Sequence, residues 1–76
     1  MASSSYIETF SHSIALSARE SEILELVKQG YSVKLISENL FLSPNTVKTH
    51  VRNIYLKAGV SSRDELMKLI DRERER

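Results

Sequence analysis

Apolar residues recur three and four apart in successive stretches of the chain, and strict alternation is never sustained long enough to predict a strand. In the first stretch Ile23, Leu24 and Val27 share one helical face. Ser17-Ala18-Arg19-Glu20 ahead of them has the form of a capping box, and Gly30 suits the left-handed residue that closes a helix. A first helix is therefore expected from about Ala18 to about Gln29. Ser32 caps a short second helix running to about Leu40, with Val33, Ile36 and Leu40 on its buried stripe and Lys34 and Glu38 turned outward. Phe41-Leu42 makes the turn. Ser43-Pro44 is then a strong start signal, because serine caps while proline at the first helical position has the right φ and no donor to leave unpaired. Val47, Val51, Ile54 and Ala58 follow as a buried stripe, and Gly59 ends this third helix. Ser62-Arg63-Asp64-Glu65 reads as a second capping box, opening a last helix in which Leu66, Met67, Leu69 and Ile70 are more apolar than a narrow stripe needs. The predicted class is all-α, with four helices.

Length allows only one core: at 76 residues a second would have no room, so residues 16–71 are read as one domain. Residues 1–15 are expected to be a linker and residues 72–76 a solvated, charged tail. Ile7, Phe10 and Ile14 are spaced for a partial helix, which the residues leave as open as a linker. Cysteine is absent, which excludes disulfides and thiolate metal sites alike. No stretch approaches the ~20 apolar residues that cross a bilayer. The start, Met1-Ala2-Ser3-Ser4-Ser5, lacks the basic and apolar regions of a signal peptide.

The net charge of +1 hides a segregation. Between positions 28 and 63, Lys28, Lys34, Lys48, Arg52, Lys57 and Arg63 stand against Glu38 alone, while acids gather outside, at Glu20, Glu22 and Glu25 and from Asp64 onward. A basic middle with acidic flanks suits a polyanion held at one face. A short helix, a three-residue turn and a longer capped helix form the helix-turn-helix arrangement, whose second helix enters the major groove N-terminus first. Base-reading residues then belong in its first turns, away from the core: Asn45, Thr46, Lys48, Thr49, Arg52 and Asn53. These offer amide, hydroxyl, ammonium and guanidinium donors with no acid among them, which suits the guanine edge and the phosphates beside it. Lys34 and Lys57 are open between phosphate contact and plain solvated surface. His50 is expected to be structural, since His12 is distant and no carboxylate pair completes a metal site. Ser43 and Thr46 read as cap and helix residues, and no Ser-His-acid grouping emerges. Neither catalysis, a metal nor a cofactor is expected.

Leu16-Ser17-Ala18-Arg19-Glu20, Gly30-Tyr31-Ser32, Ser43-Pro44-Asn45-Thr46-Val47-Lys48-Thr49-His50 and Lys57-Ala58-Gly59-Val60 together resemble the LuxR-type helix-turn-helix domain. The resemblance covers about Leu16 to Ile70, and its specificity comes from having all these pieces in order at the right separations. It implies a bacterial transcription regulator that binds double-stranded DNA, with the third of four helices reading the sequence. It further implies a homodimer formed through the fourth helix on a roughly palindromic site. Lys48, Thr49 and Arg52 look like the base-proximal residues, Ser43, Thr46 and Lys57 look like backbone contacts, and Glu20 looks structural. The dimer face is placed at Leu66, Met67 and Ile70, with completion of the core as the other reading of Met67 and Ile70. The chain departs from the family where an Asn-Lys-Glu-Ile-Ala run usually begins the second helix: here Val33-Lys34-Leu35-Ile36-Ser37 makes two polar positions apolar, so Leu35 becomes a candidate to face a partner. Two rival readings remain open: a sigma-factor region-four-like domain that binds RNA polymerase and promoter together, and a helix-turn-helix kept only as a protein-interaction adaptor, with Leu35 and Met67 as its surface. The expected setting is the bacterial cytoplasm, either alone or as the output end of a longer, membrane-tethered protein with an N-terminal sensor domain.

Overall fold

A computed structural model describes residues 14–74, with side chains as far as Arg72. Ile7, Phe10 and most of the expected linker therefore lie outside the described residues. The order is α1 (Ala18–Lys28), α2 (Val33–Leu40), α3 (Pro44–Ala58) and α4 (Arg63–Arg74), with no strand among the described residues. α3 packs on both α1 and α2, and its Val47 and Ile54 meet Ile23, Leu24, Val27, Ile36, Leu66 and Ile70 in one buried aliphatic cluster.

Both ends of α1 form as the sequence suggests. Ser17 Oγ accepts from the Glu20 amide at 3.1 Å, and the Glu20 carboxylate accepts from the Ser17 amide at 3.0 Å, completing the capping box. At the other end Gly30 has φ +95°, which lets its own amide reach the Val27 carbonyl and the Tyr31 amide reach that of Leu26, both at 3.0 Å. α3 closes in the same way around Gly59 at φ +73°, with the Val60 amide donating to Tyr55 at 3.0 Å.

α2 ends differently. Phe41 takes the left-handed conformation (φ 57°, ψ 41°), which carries the chain round so that the Leu42 amide reaches the Ser37 carbonyl at 2.9 Å. A bulky residue there is strained by its Cβ, and this one is 95% exposed, so it recovers nothing by burial. Phe41→Gly is accordingly expected to raise stability by about 0.5–1 kcal/mol, the relief of strain exceeding the added flexibility of the unfolded chain. Thermal melting reads this directly, and an unchanged or lower melting temperature would contradict it. Ser37, which the apolar pattern passes over, is buried, and its hydroxyl donates to the Lys34 carbonyl at 2.7 Å, so no polar atom is stranded.

The opening of α4 departs from expectation. Ser62 Oγ does accept from the Glu65 amide at 3.2 Å, but the Glu65 carboxylate reaches past Ser62 to Ser61. There one oxygen accepts from both the amide (2.7 Å) and the hydroxyl (3.1 Å), two donors where the usual box offers one. Leu66 and Ile70 are each only 1% exposed, because this i, i+4 pair joins Ile23, Leu24, Val27, Ile36, Val47 and Ile54 in the buried cluster. As dimer-face candidates they are therefore corrected: the apolar side chains that α4 leaves partly exposed are Met67 and Leu69, which also pack against the core. The helix itself runs on to Arg74, through the first residues of the expected tail.

Candidate nucleic-acid interface

Ser43 sets where α3 begins. Its hydroxyl accepts from the Thr46 amide at 3.1 Å and shares a 2.9 Å hydrogen bond with the Thr46 hydroxyl, while Pro44 occupies the first turn. With Val47 and Ile54 turned into the core, the advance of about 100° per residue places Asn45, Lys48, Thr49, Arg52 and Leu56 along the opposite face. All five are exposed. Thr46, His50, Asn53 and Lys57 follow one flank of the helix, and His50 and Asn53 there are half-buried. The structure thus brings Ser43, Asn45, Thr46, Lys48, Thr49 and Arg52 together on the first half of one helix, with Asn53 at the edge.

The donors on this face are not equivalent. The Thr49 hydroxyl donates back to the Asn45 carbonyl at 3.1 Å, which leaves its methyl and its oxygen lone pairs to face outward. Among the described residues no hydrogen bond or ion pair engages Lys48 or Arg52. Their cationic heads carry the available donor capacity, and no acid lies on the face to neutralise them. Lys34 is likewise exposed and unengaged, but it stands on α2, outside the α3 face.

Two of the central bases are built into the fold. The Lys57 ammonium lies 2.7 Å from the Glu20 carboxylate and donates at 3.3 Å to the Ala15 carbonyl. The hydrogen bond from Lys57 holds the Glu20 carboxyl below its ordinary range in spite of burial, with the Ser17 amide helping. This arrangement ties the end of α3 to the start of α1, and it draws the Lys57 head away from the exposed face of α3. Its expected phosphate contact would have to compete with that pair. Arg63, counted in the basic middle, donates through Nη2 to the Val27 carbonyl and so caps the end of α1 from the start of α4. Sequence reasoning missed both functions, since each joins residues 36 or more positions apart; only the resemblance pointed to a structural Glu20.

Residues 14–70 match the family described as bacterial regulatory proteins, luxR family. The chain is 50% identical over 48 residues to a probable transcriptional regulatory protein NarL of Mycobacterium tuberculosis, covering 63% of this chain and 22% of that protein. It is 50% identical over 52 residues to the monoamine regulon transcriptional regulator of Klebsiella aerogenes, covering 68% and 23%. To the transcriptional regulatory protein DegU of Brevibacillus brevis it is 46% identical over 50 residues, covering 66% and 21%. The chain thus spans about a fifth of the length of these relatives. No solved structure matches it. The family match over three quarters of the sequence, the helix-turn-helix of α2 and α3 and the shared residues agree, and the chain belongs to the luxR family of bacterial regulatory proteins.

Proposed function

We propose that this domain is the sequence-specific, double-stranded-DNA-binding output of a bacterial transcription regulator acting in the cytoplasm, and not an enzyme. In this reading α3 enters the major groove N-terminus first, Lys48 and Arg52 reach base edges or adjoining phosphates, and Asn45 and Thr49 complete the readout. Thr49 contributes its methyl and lone pairs more than a donor. Ser43 and Thr46 approach the sugar–phosphate backbone, as does Lys34 from α2. One observation carries the reading: the exposed half of α3 that the turn presents has two unengaged cations and no acid. Two copies, joined through Met67 and Leu69 of α4, would read the halves of a palindromic site about one helical turn apart. In the intact regulator, the segments corresponding to the other four fifths of its relatives would supply the sensor and any contact with RNA polymerase.

The test is selection from a pool of randomised duplexes, followed by fluorescence-anisotropy titration of the winner at two salt concentrations. Enrichment of a two-fold-related motif is expected, with affinity falling steeply with salt by about 0.9 logarithmic units per tenfold for each phosphate contact. Salt-dependent binding without enrichment would reduce the domain to a non-specific binder. Absence of binding at low salt would instead favour an adaptor, for which Leu35 and Met67 are the candidate contacts, Leu35 exposed and Met67 half-buried.

A further inference from the structure

His50 is packed on the flank of α3, and its Nδ1 is the buried side-chain nitrogen or oxygen left without a hydrogen-bond partner among the described residues. A neutral imidazole carries one N–H and one lone pair. Stranding a buried N–H is the costlier alternative, because orphaned donors are rarer in folded proteins than under-satisfied acceptors. The lone pair therefore belongs on Nδ1 and the hydrogen on Nε2. Nε2 has no partner among the described residues and is not sealed from solvent as Nδ1 is. The ring of this half-buried residue thus has its Nδ1 edge buried and its Nε2 edge available as a donor.

Its position gives that donor a target. Thr46, His50 and Asn53 follow the flank of α3 beside the Asn45–Lys48–Thr49–Arg52 face. When a helix lies in the major groove its leading face meets base edges, while its flanks pass the sugar–phosphate walls. On the same flank the Lys57 ammonium is already held by Glu20, which leaves the wall opposite His50 without that cation. We propose that His50 is a DNA-backbone contact, its Nε2–H donating to a non-bridging phosphate oxygen of the groove wall. The contact is independent of base sequence. It rests on the DNA-binding reading above and adds to it a positioning residue that fixes how deeply and at what angle α3 sits.

The experiment uses the whole chain, the selected duplex and single methylphosphonate substitutions that remove one phosphate charge at a time. His50→Phe fills the site without a donor. His50→Gln places an amide nitrogen where Nε2 lies, and His50→Asn places one nearer Nδ1. His50→Phe is expected to weaken binding about tenfold on selected and unrelated duplexes alike, and His50→Gln to stay within about threefold of the unaltered chain. One methylphosphonate position should weaken the unaltered chain but not His50→Phe, a coupling that a purely structural role would not produce. Unchanged binding by His50→Phe, or a loss that persists undiminished at every methylphosphonate position, overturns the proposal while leaving DNA binding intact. Should His50→Phe fail to fold, the two amides decide: retention by His50→Gln with loss by His50→Asn supports the contact, and equal binding overturns it. Failure of the unaltered chain to bind any duplex at low salt overturns the DNA-binding reading itself, and this contact with it.

Discussion

Alanine in place of Arg52 is expected to lower affinity for the selected duplex by ~1–3 kcal/mol, about five- to 150-fold, and to relax the preference at one base pair. The side chain stands exposed in the third turn of α3, opposite the buried Val47–Ile54 stripe, and no group of the described protein engages its guanidinium. Its removal therefore breaks no hydrogen bond or ion pair among the described residues, and the melting temperature should hold while binding falls. A planar fork of donors matches the O6 and N7 acceptors of guanine, so Arg52→Lys should recover charge but not discrimination. Repeating the selection with Arg52→Ala reads the outcome. If every duplex weakened by the same factor, Arg52 would be a phosphate contact, and base reading would pass to Lys48 and Asn45.

The second large effect is on stability. Glu20→Ala is expected to cost about 2–3 kcal/mol, a large share of what a domain of this size holds. The change removes the reciprocal half of the α1 capping box, leaving the Ser17 amide unpaired, and it severs the tie from α1 to Lys57 at the end of α3. A fully buried pair broken on one side costs more, about 3–5 kcal/mol. Here the Lys57 side chain is 40% exposed, so its ammonium can return to water. Chemical denaturation compares the two chains; a loss under about 0.5 kcal/mol would mean that the Lys57 pair contributes nothing beyond desolvation.

The same pair sets an acid limit. Because the folded state holds the Glu20 carboxyl below its ordinary value of 4.5, the unfolded chain binds the proton more readily. The stabilisation is complete above that value and is lost as pH falls through the lower, folded one. Stability should thus decline on acidification below about pH 4.5, and Glu20→Gln should show a shallower decline because the group that titrates is gone. Parallel acid limbs for the two chains would place the loss elsewhere, for instance in the Glu65 carboxyl, which the Ser61 amide and hydroxyl also hold low.

Local signals made most of this architecture legible before any coordinate. Caps at Ser17, Ser32 and Ser43, the left-handed glycines 30 and 59 and the stripes Ile23–Val27 and Val47–Ile54 all act within a few residues of the chain, where spacing alone states the geometry. The candidate face of α3 follows from the same arithmetic: once Val47 and Ile54 point inward, Asn45, Lys48, Thr49 and Arg52 must point outward. Charge was less legible. A count along the chain treats Lys57 and Arg63 as equals of Lys48 and Arg52, although the first two are held by Glu20 and the Val27 carbonyl.

What the sequence by itself determined, then, is the set of helices, the turn between α2 and α3 and the residues on the outward face of α3, because each depends on neighbours within one or two turns. Tertiary structure alone decided the rest. It assigned Leu66 and Ile70 to the core and left Met67 and Leu69 half-buried at its edge, a choice that depends on which side of α4 meets the buried cluster. It turned Lys57 and Arg63 into fasteners between helix ends, and it buried Nδ1 of His50. These outcomes arise from contacts between segments distant in sequence, whose partners no local periodicity names, since burial and pairing belong to the packed arrangement of all four helices and not to any one of them.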